Sequence, residues 1–235
     1  MQPFGQPLKL VILDVDGVII DLMAGFESNL KAAARQCGLP LRPIDEYLEE
    51  VRAGVKHHHS SWVMAVQMWW PWLGHAEAER FGEYFRAEER RNPYPPVAGS
   101  IEAIHRLRAR RVSVALCTTN EKAVLVDRLQ AAGINPNWFY AASTWESGYP
   151  KPDPRSLDSI FKVIPVPREQ AVYVGDWYPD LEAARGAGVR FIAVLSGGIP
   201  RKIFIREGVP EDHILERLGE FPKLIQEESA PGYAV

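Results

Sequence analysis

At 235 residues, 46% of them hydrophobic, the chain has material for one sizeable core, or for a core domain with a smaller one inserted. With 27 Lys and Arg against 30 Asp and Glu, its formal net charge of −3 offers nucleic acid no broad basic field, and a small molecule is the expected partner. Cys37 and Cys117 lack the paired spacing of a disulfide framework or zinc site, no uncharged apolar run reaches the ~18 residues of a membrane span, and the opening MQPFGQPLKL lacks the pattern of a signal peptide, so the expected compartment is the cytoplasm.

In chain order, the first predicted element is a strand in LKLVILDVDGVIID, residues 8–21, whose apolar run Leu10 to Leu13 leads straight into Asp14 and Asp16. Next, DLMAGFESNLKAAARQCGLP places Met23, Phe26, Leu30, Ala33 and Cys37 at helical spacing, with Gly38 and Pro40 as the stop. PIDEYLEEVRAG, the Trp-rich SSWVMAVQMWW ended by Pro71, and HAEAERFGEYFRAEERR read as further helices, and residues 22–91 contain no convincing strand. The prolines of NPYPP, residues 92–96, read as a stiff connector.

Beyond it the pattern alternates. RVSVALC, WFYAAS, QAVYVGD and RFIAVLS read as strands; EKAVLVDRLQAAG, PRSLDSIFKVI and DLEAARGAG read as helices. This rhythm predicts an α/β fold with a doubly wound, Rossmann-like parallel sheet. The first strand must join that sheet, because the helical block offers none. The expected organisation is therefore a catalytic core from 1–21 and 92–235, with a helical domain inserted at 22–91; EESAPGYAV at the end reads as a frayed tail.

Alone, DVDG is also an ordinary strand-ending turn. Open parallel sheets, however, collect function at the carboxyl ends of their strands, and the other strand ends carry related chemistry. CTTN supplies Thr118 and Thr119, GYPKP supplies Lys151, and GDWYPD supplies Asp176 and Asp180. Carboxylates suit Mg²⁺, a hard ion that takes oxygen ligands, and a carboxylate can attack phosphorus to split one displacement into two. Lys151, the Thr118 hydroxyl and the N–H groups of the DVDG turn can neutralise phosphoryl oxygens. Side chains two apart on an extended strand lie about 6.6 Å along the chain, so Asp16 could reach a leaving group while Asp14 attacks from the other side.

Taken together, DVDGV, ALCTT, KPDP and GDWYPD, in this order and with a helical insertion after the first, resemble the four motifs of the haloacid dehalogenase superfamily, in its phosphatase and phosphomutase-like branch with a helical cap. The resemblance implies Asp14 as nucleophile and Asp16 as general acid/base, with the Asp16 backbone carbonyl also on Mg²⁺. It implies Thr118 and Lys151 on the transferring phosphoryl group, with Gly17 and Thr119 among the phosphate-binding residues. Asp176 would ligate Mg²⁺, and Asp180 would support it. An acid two residues after the nucleophile resembles phosphatases and phosphomutases rather than the dehalogenases, whose halide leaves unaided. Trp177, Tyr178 and Thr119 depart from the commoner residues at their positions.

The expected activity is Mg²⁺-dependent hydrolysis of a small phosphate ester, phosphoglycolate-like or sugar-phosphate-like, through an aspartyl phosphate, without nucleic-acid or membrane partners. A phosphomutase of the β-phosphoglucomutase type shares DGVI followed by Asp21, with Arg35, Arg52 and Lys56 available for a distal phosphate. A catalytically degenerate interaction module, drawing on the aromatic helical block, is a third reading. Homo-oligomer formation stays open. Consecutive histidines diverge on a helix or strand, so His57, His58 and His59 read as solvated surface or substrate contacts before metal ligands. Trp62, Trp69, Trp70 and Trp72 read as core of the inserted domain or as an interface. A Schiff-base role for Lys56 has one exposed-looking lysine as its support.

Overall fold

The computed structural model describes residues 7–57 and 62–222. The run EESAPGYAV, His58 and His59 lie outside them. The chain divides into two compact units, one comprising the segments up to Asp21 and from Pro95 onward, the other Leu22–Tyr94. Asn92, Pro93 and Tyr94, expected in the core, thus fall in the helical unit. Local contacts explain this: the Asn29 Nδ2 donates to the Asn92 carbonyl at 3.2 Å, and the Tyr94 ring lies against Gly25.

The first element is strand β1 (Leu10–Leu13), every residue of it buried. The helical unit then supplies α1 (Phe26–Gln36), α2 (Arg42–Ala53), α3 (Trp62–Trp69) and α4 (His75–Arg91). A 3₁₀ turn, Leu22–Ala24, precedes α1, and Gly25 interrupts helical geometry there. Met23 consequently lies exposed instead of joining the apolar stripe expected of it. Leu30, Ala33, Ile44, Val66, Trp69, Trp70 and Phe81 form the unit's core. Trp70 is fully buried and donates its Nε1–H to the Pro40 carbonyl at 3.1 Å, which satisfies the one polar group of the indole. Trp62 stacks on Phe85 with centroids 5.0 Å apart. Trp72, in contrast, is 64% exposed.

The sheet unit resumes with the Asp21 N–H donating to the Pro95 carbonyl. It continues through α5 (Ser100–Ala109), β2 (Ser113–Cys117), α6 (Lys122–Ala131), β3 (Ala141–Ser143), α7 (Asp158–Val163), β4 (Ala171–Gly175), α8 (Tyr178–Gly186), β5 (Arg190–Val194), α9 (Arg201–Arg206) and β6 (Ile214–Leu215). Neither α5, α9 nor β6 is named by the sequence patterns. The apolar positions of α5 are split by arginines, and two-residue β6 is too short for alternation to register. WFYAAS pairs only over Ala141–Ser143, because Trp138 closes a 3₁₀ turn instead.

All strand pairs are parallel, in the order β3-β2-β1-β4-β5-β6. Near-continuous burial of β1 and β4 matches a parallel sheet covered on both faces. Register aligns Leu13 with Leu116 on one side and with Val174 on the other. The residues that follow these three strands therefore emerge at one sheet edge. No described helix is long and apolar enough to cross a membrane.

Candidate active site at the carboxyl edge of the sheet

Asp14 follows β1 directly, and its N–H donates to the Val174 carbonyl at 2.9 Å, extending the β1–β4 pairing by one residue. Its Oδ1 accepts from Lys151 Nζ at 2.6 Å, and the same ammonium donates to Asp180 Oδ1 at 2.5 Å. Lys151 and Asp180 are almost completely buried, with side chains 6% and 1% exposed.

Asp180 is fixed from several sides. Its Oδ2 accepts from the backbone N–H groups of Asp176 at 3.2 Å and Trp177 at 3.0 Å, capping the first turn of α8. Its Oδ1 also accepts from the Tyr173 hydroxyl at 3.0 Å. Capping and contact with the site thus coexist in one side chain.

Asp176 lies between two glycines. A methyl group at either Gly17 or Gly197 would collide with its carboxylate. Gly17 has φ +80°, a left-handed conformation that glycine adopts without the Cβ penalty, and its carbonyl accepts from Ser196 Oγ. Asp176 Oδ1 is buried with no hydrogen-bond partner among the described residues.

Asp14, Asp176 and Asp180 each offer a carboxylate oxygen within 4.8 Å of the others. Removal from water, reinforced by Asp180 and Asp16 and opposed by Lys151, pushes the Asp14 carboxyl up to about 7. Burial, then the charges of Asp14 and Asp180, push Asp176 well above the usual carboxylate range. For Lys151 burial acts downward, but the facing Asp14 and Asp180 prevail and hold the ammonium well above its ordinary value. With all three carboxylates ionised against one ammonium, two negative charges would remain, which a divalent cation would offset, and an all-oxygen donor set suits a hard one. The orphaned Asp176 oxygen and the glycine cradle beside it fit the same group.

Asp16 sits outside this trio. Its Oδ2 accepts from Asn120 Nδ2 at 2.7 Å and from Arg128 Nη1. Thr118 is buried, its Oγ1 accepting from the Asn120 N–H at 3.1 Å. Thr119 is exposed. Trp177 is half-buried at the start of α8, whereas Tyr178 is buried.

The sequence reading misses Asn120, Arg128, Tyr173, Ser196 and Gly197. A signal was available for Asn120, next to the threonines of CTTN, and for Gly197, in a glycine pair just past a strand end. Arg128 carries no such signal, because an arginine on a helix is ordinarily solvated surface.

A family model of haloacid dehalogenase-like hydrolases matches residues 8–188. A phosphoglycolate phosphatase of Pseudomonas savastanoi pv. phaseolicola is 30% identical over 203 residues, covering 82% of this chain and 71% of the relative. One from Agrobacterium fabrum is 29% identical over 203 residues, covering 82% and 83%. The fold is likewise similar to a crystal structure from Haemophilus somnus 129pt described as a "predicted phosphoglycolate phosphatase", with TM-score 0.74, 20% identity, and coverage of 92% of this chain and 97% of that one. The chain belongs to the haloacid dehalogenase-like hydrolases.

Proposed function

We propose that the protein is a Mg²⁺-dependent phosphatase of a small phosphorylated metabolite, working through an aspartyl phosphate on Asp14 in the cytoplasm, with the helical unit as its cap. The observation that carries this reading is the buried Asp14–Lys151–Asp180 array beside the orphaned carboxylate oxygen of Asp176. The phosphoglycolate phosphatases among its relatives make phosphoglycolate the first substrate to try, with sugar phosphates next.

Asp14, Asp176 and Asp180 would hold the ion, with the Asp16 backbone carbonyl; when bound, it supplies positive charge against the phosphoryl oxygens and between the carboxylates. In the first step an Asp14 carboxylate oxygen attacks phosphorus and the ester P–O bond breaks. Asp16 donates a proton to the departing alkoxide. In the second step water attacks the same phosphorus, gives its proton to Asp16, and the bond from phosphorus to Asp14 breaks, releasing inorganic phosphate. Lys151 and Thr118 neutralise and orient the phosphoryl oxygens, with Gly17 and Thr119 as further phosphate contacts.

The test is phosphate release over a panel of phosphoglycolate and sugar monophosphates, with Mg²⁺ and after exhaustive chelation. Mg²⁺-dependent release is expected, abolished in Asp14→Asn, and a fluoride-based phosphate mimic should trap a complex at Asp14. Unchanged turnover in chelator would overturn the metal assignment, substantial turnover by Asp14→Asn the nucleophile, and isomerisation without phosphate release the phosphatase reading itself.

A further inference from the structure

We propose that Arg128, with Asn120, is a positioning residue that holds Asp16 in the orientation needed for proton transfer; this rests on the acid/base reading of Asp16 above. Asp16 has left strand β1, and its main chain is held in a tight turn by the Gly17 N–H donating to the Ile20 carbonyl at 2.8 Å. That turn fixes the Cα but leaves two side-chain torsions, and the outer torsion of an aspartate is broad. Both Asn120 Nδ2 and Arg128 Nη1 donate to one oxygen, Oδ2. The other, Oδ1, is buried and has no hydrogen-bond partner among the described residues. Two donors on one oxygen set both torsions, and they leave the second oxygen unencumbered to carry or accept the proton. A charge-assisted hydrogen bond holds such a geometry more firmly than a neutral one.

A purely structural ion pair explains less. The Arg128 side chain is 13% exposed and that of Asp16 19%, so this is not one of the solvated pairs that contribute little. Nor does α6 need the pair to dock, because Leu125 and Leu129 of the same helix are already buried. The donors come from α6 and from the loop after β2, next to β1 in the sheet. Arginine reaches what a shorter side chain there would not, and orientation of this kind is a recognised source of rate.

The experiment is single-turnover formation of the aspartyl phosphate at fixed pH with saturating Mg²⁺, comparing an alkyl phosphate with p-nitrophenyl phosphate. The alkoxide needs a proton to leave and the nitrophenolate does not. In Asp16→Asn the alkyl ester should lose far more rate than the aryl ester, a positioned acid contributing about 10²–10⁴-fold. Arg128→Ala should show the same selective loss at smaller size, about tenfold, with an unchanged substrate concentration dependence. Asn120→Ala should follow it, and Arg128→Lys should recover part of the loss. Arg128→Ala added to Asp16→Asn should cost nothing further, since residues acting as one unit are not additive. Equal losses with both esters in Arg128→Ala, an additive double variant, or a weakened substrate affinity at unchanged maximal rate would overturn the proposal. The last outcome would make Arg128 an anion-binding residue. Should Arg128→Ala fail to fold, Arg128→Lys and Asn120→Ala decide by the same ratio. Equal losses in Asp16→Asn itself would overturn the acid/base reading, and the proposal with it.

Discussion

Lys151 Nζ lies 2.6 Å from Asp14 Oδ1, although the two residues stand 137 positions apart. The same ammonium reaches Asp180, so one buried cation joins a strand end, a loop and the first turn of a helix. Removing one partner of such an array leaves charge stranded in a low dielectric, which costs more than the pair contributes net.

Lys151→Met is therefore expected to destabilise the metal-free protein by about 3–5 kcal/mol and to lower kcat by about 10²–10³-fold. Urea unfolding in chelator and steady-state kinetics with Mg²⁺ check the two halves separately. A variant with wild-type stability and a normal kcat would show that the ammonium is incidental.

Stability of the metal-free protein should fall as pH rises from about 4 to 7. Asp14 has its carboxyl raised from 3.8 to about 7, so over that window the folded state binds a proton that the unfolded state has released, and the slope of stability against pH is negative. Asp14→Asn removes that titration and should make the profile shallower, the raised Asp176 carboxyl keeping the remaining slope. Thermal melts at pH 5 and pH 8, with chelator and with Mg²⁺, measure this. A wild-type protein equally stable at both pH values without metal would contradict it.

Gly197→Ala should weaken Mg²⁺ binding by about 10–100-fold while leaving the sheet intact, because the new methyl group must displace the Asp176 carboxylate. Asp176→Asn should lose more, as a neutral amide supports the cation poorly. Calorimetric titration with Mg²⁺ ranks the two; unaltered affinity in both would remove Asp176 from the ligand set.

Tyr173→Phe deletes a fully buried hydroxyl that donates to Asp180 at 3.0 Å. Asp180 Oδ1 keeps its bond to Lys151, so the expected cost is modest, about 1 kcal/mol in stability, with a small fall in kcat. Denaturant midpoints resolve a change of that size. A loss as large as that of Lys151→Met would mean that the tyrosine, rather than the lysine, sets the position of Asp180.

The alternation of strand and helix patterns after residue 96, and the placing of Asp14, Thr118 and Asp176 at strand ends, were legible in the sequence, because periodicity and turn chemistry are local properties. So was the helical nature of the segment containing α1 to α4. Only the tertiary structure decided which oxygen meets which donor. Sheet order puts β1 between β2 and β4, and that adjacency brings Asn120 and Arg128 to Asp16. Arg106 has Glu102 one helical turn away, a pairing visible in the sequence, whereas nothing local points Arg128 to Asp16, 112 residues earlier. Trp70 and Trp72 show the same limit two residues apart, one fully buried and one 64% exposed. Both stand past the end of α3, where no helical periodicity applies and an indole's surroundings depend on what the chain packs against it from far away.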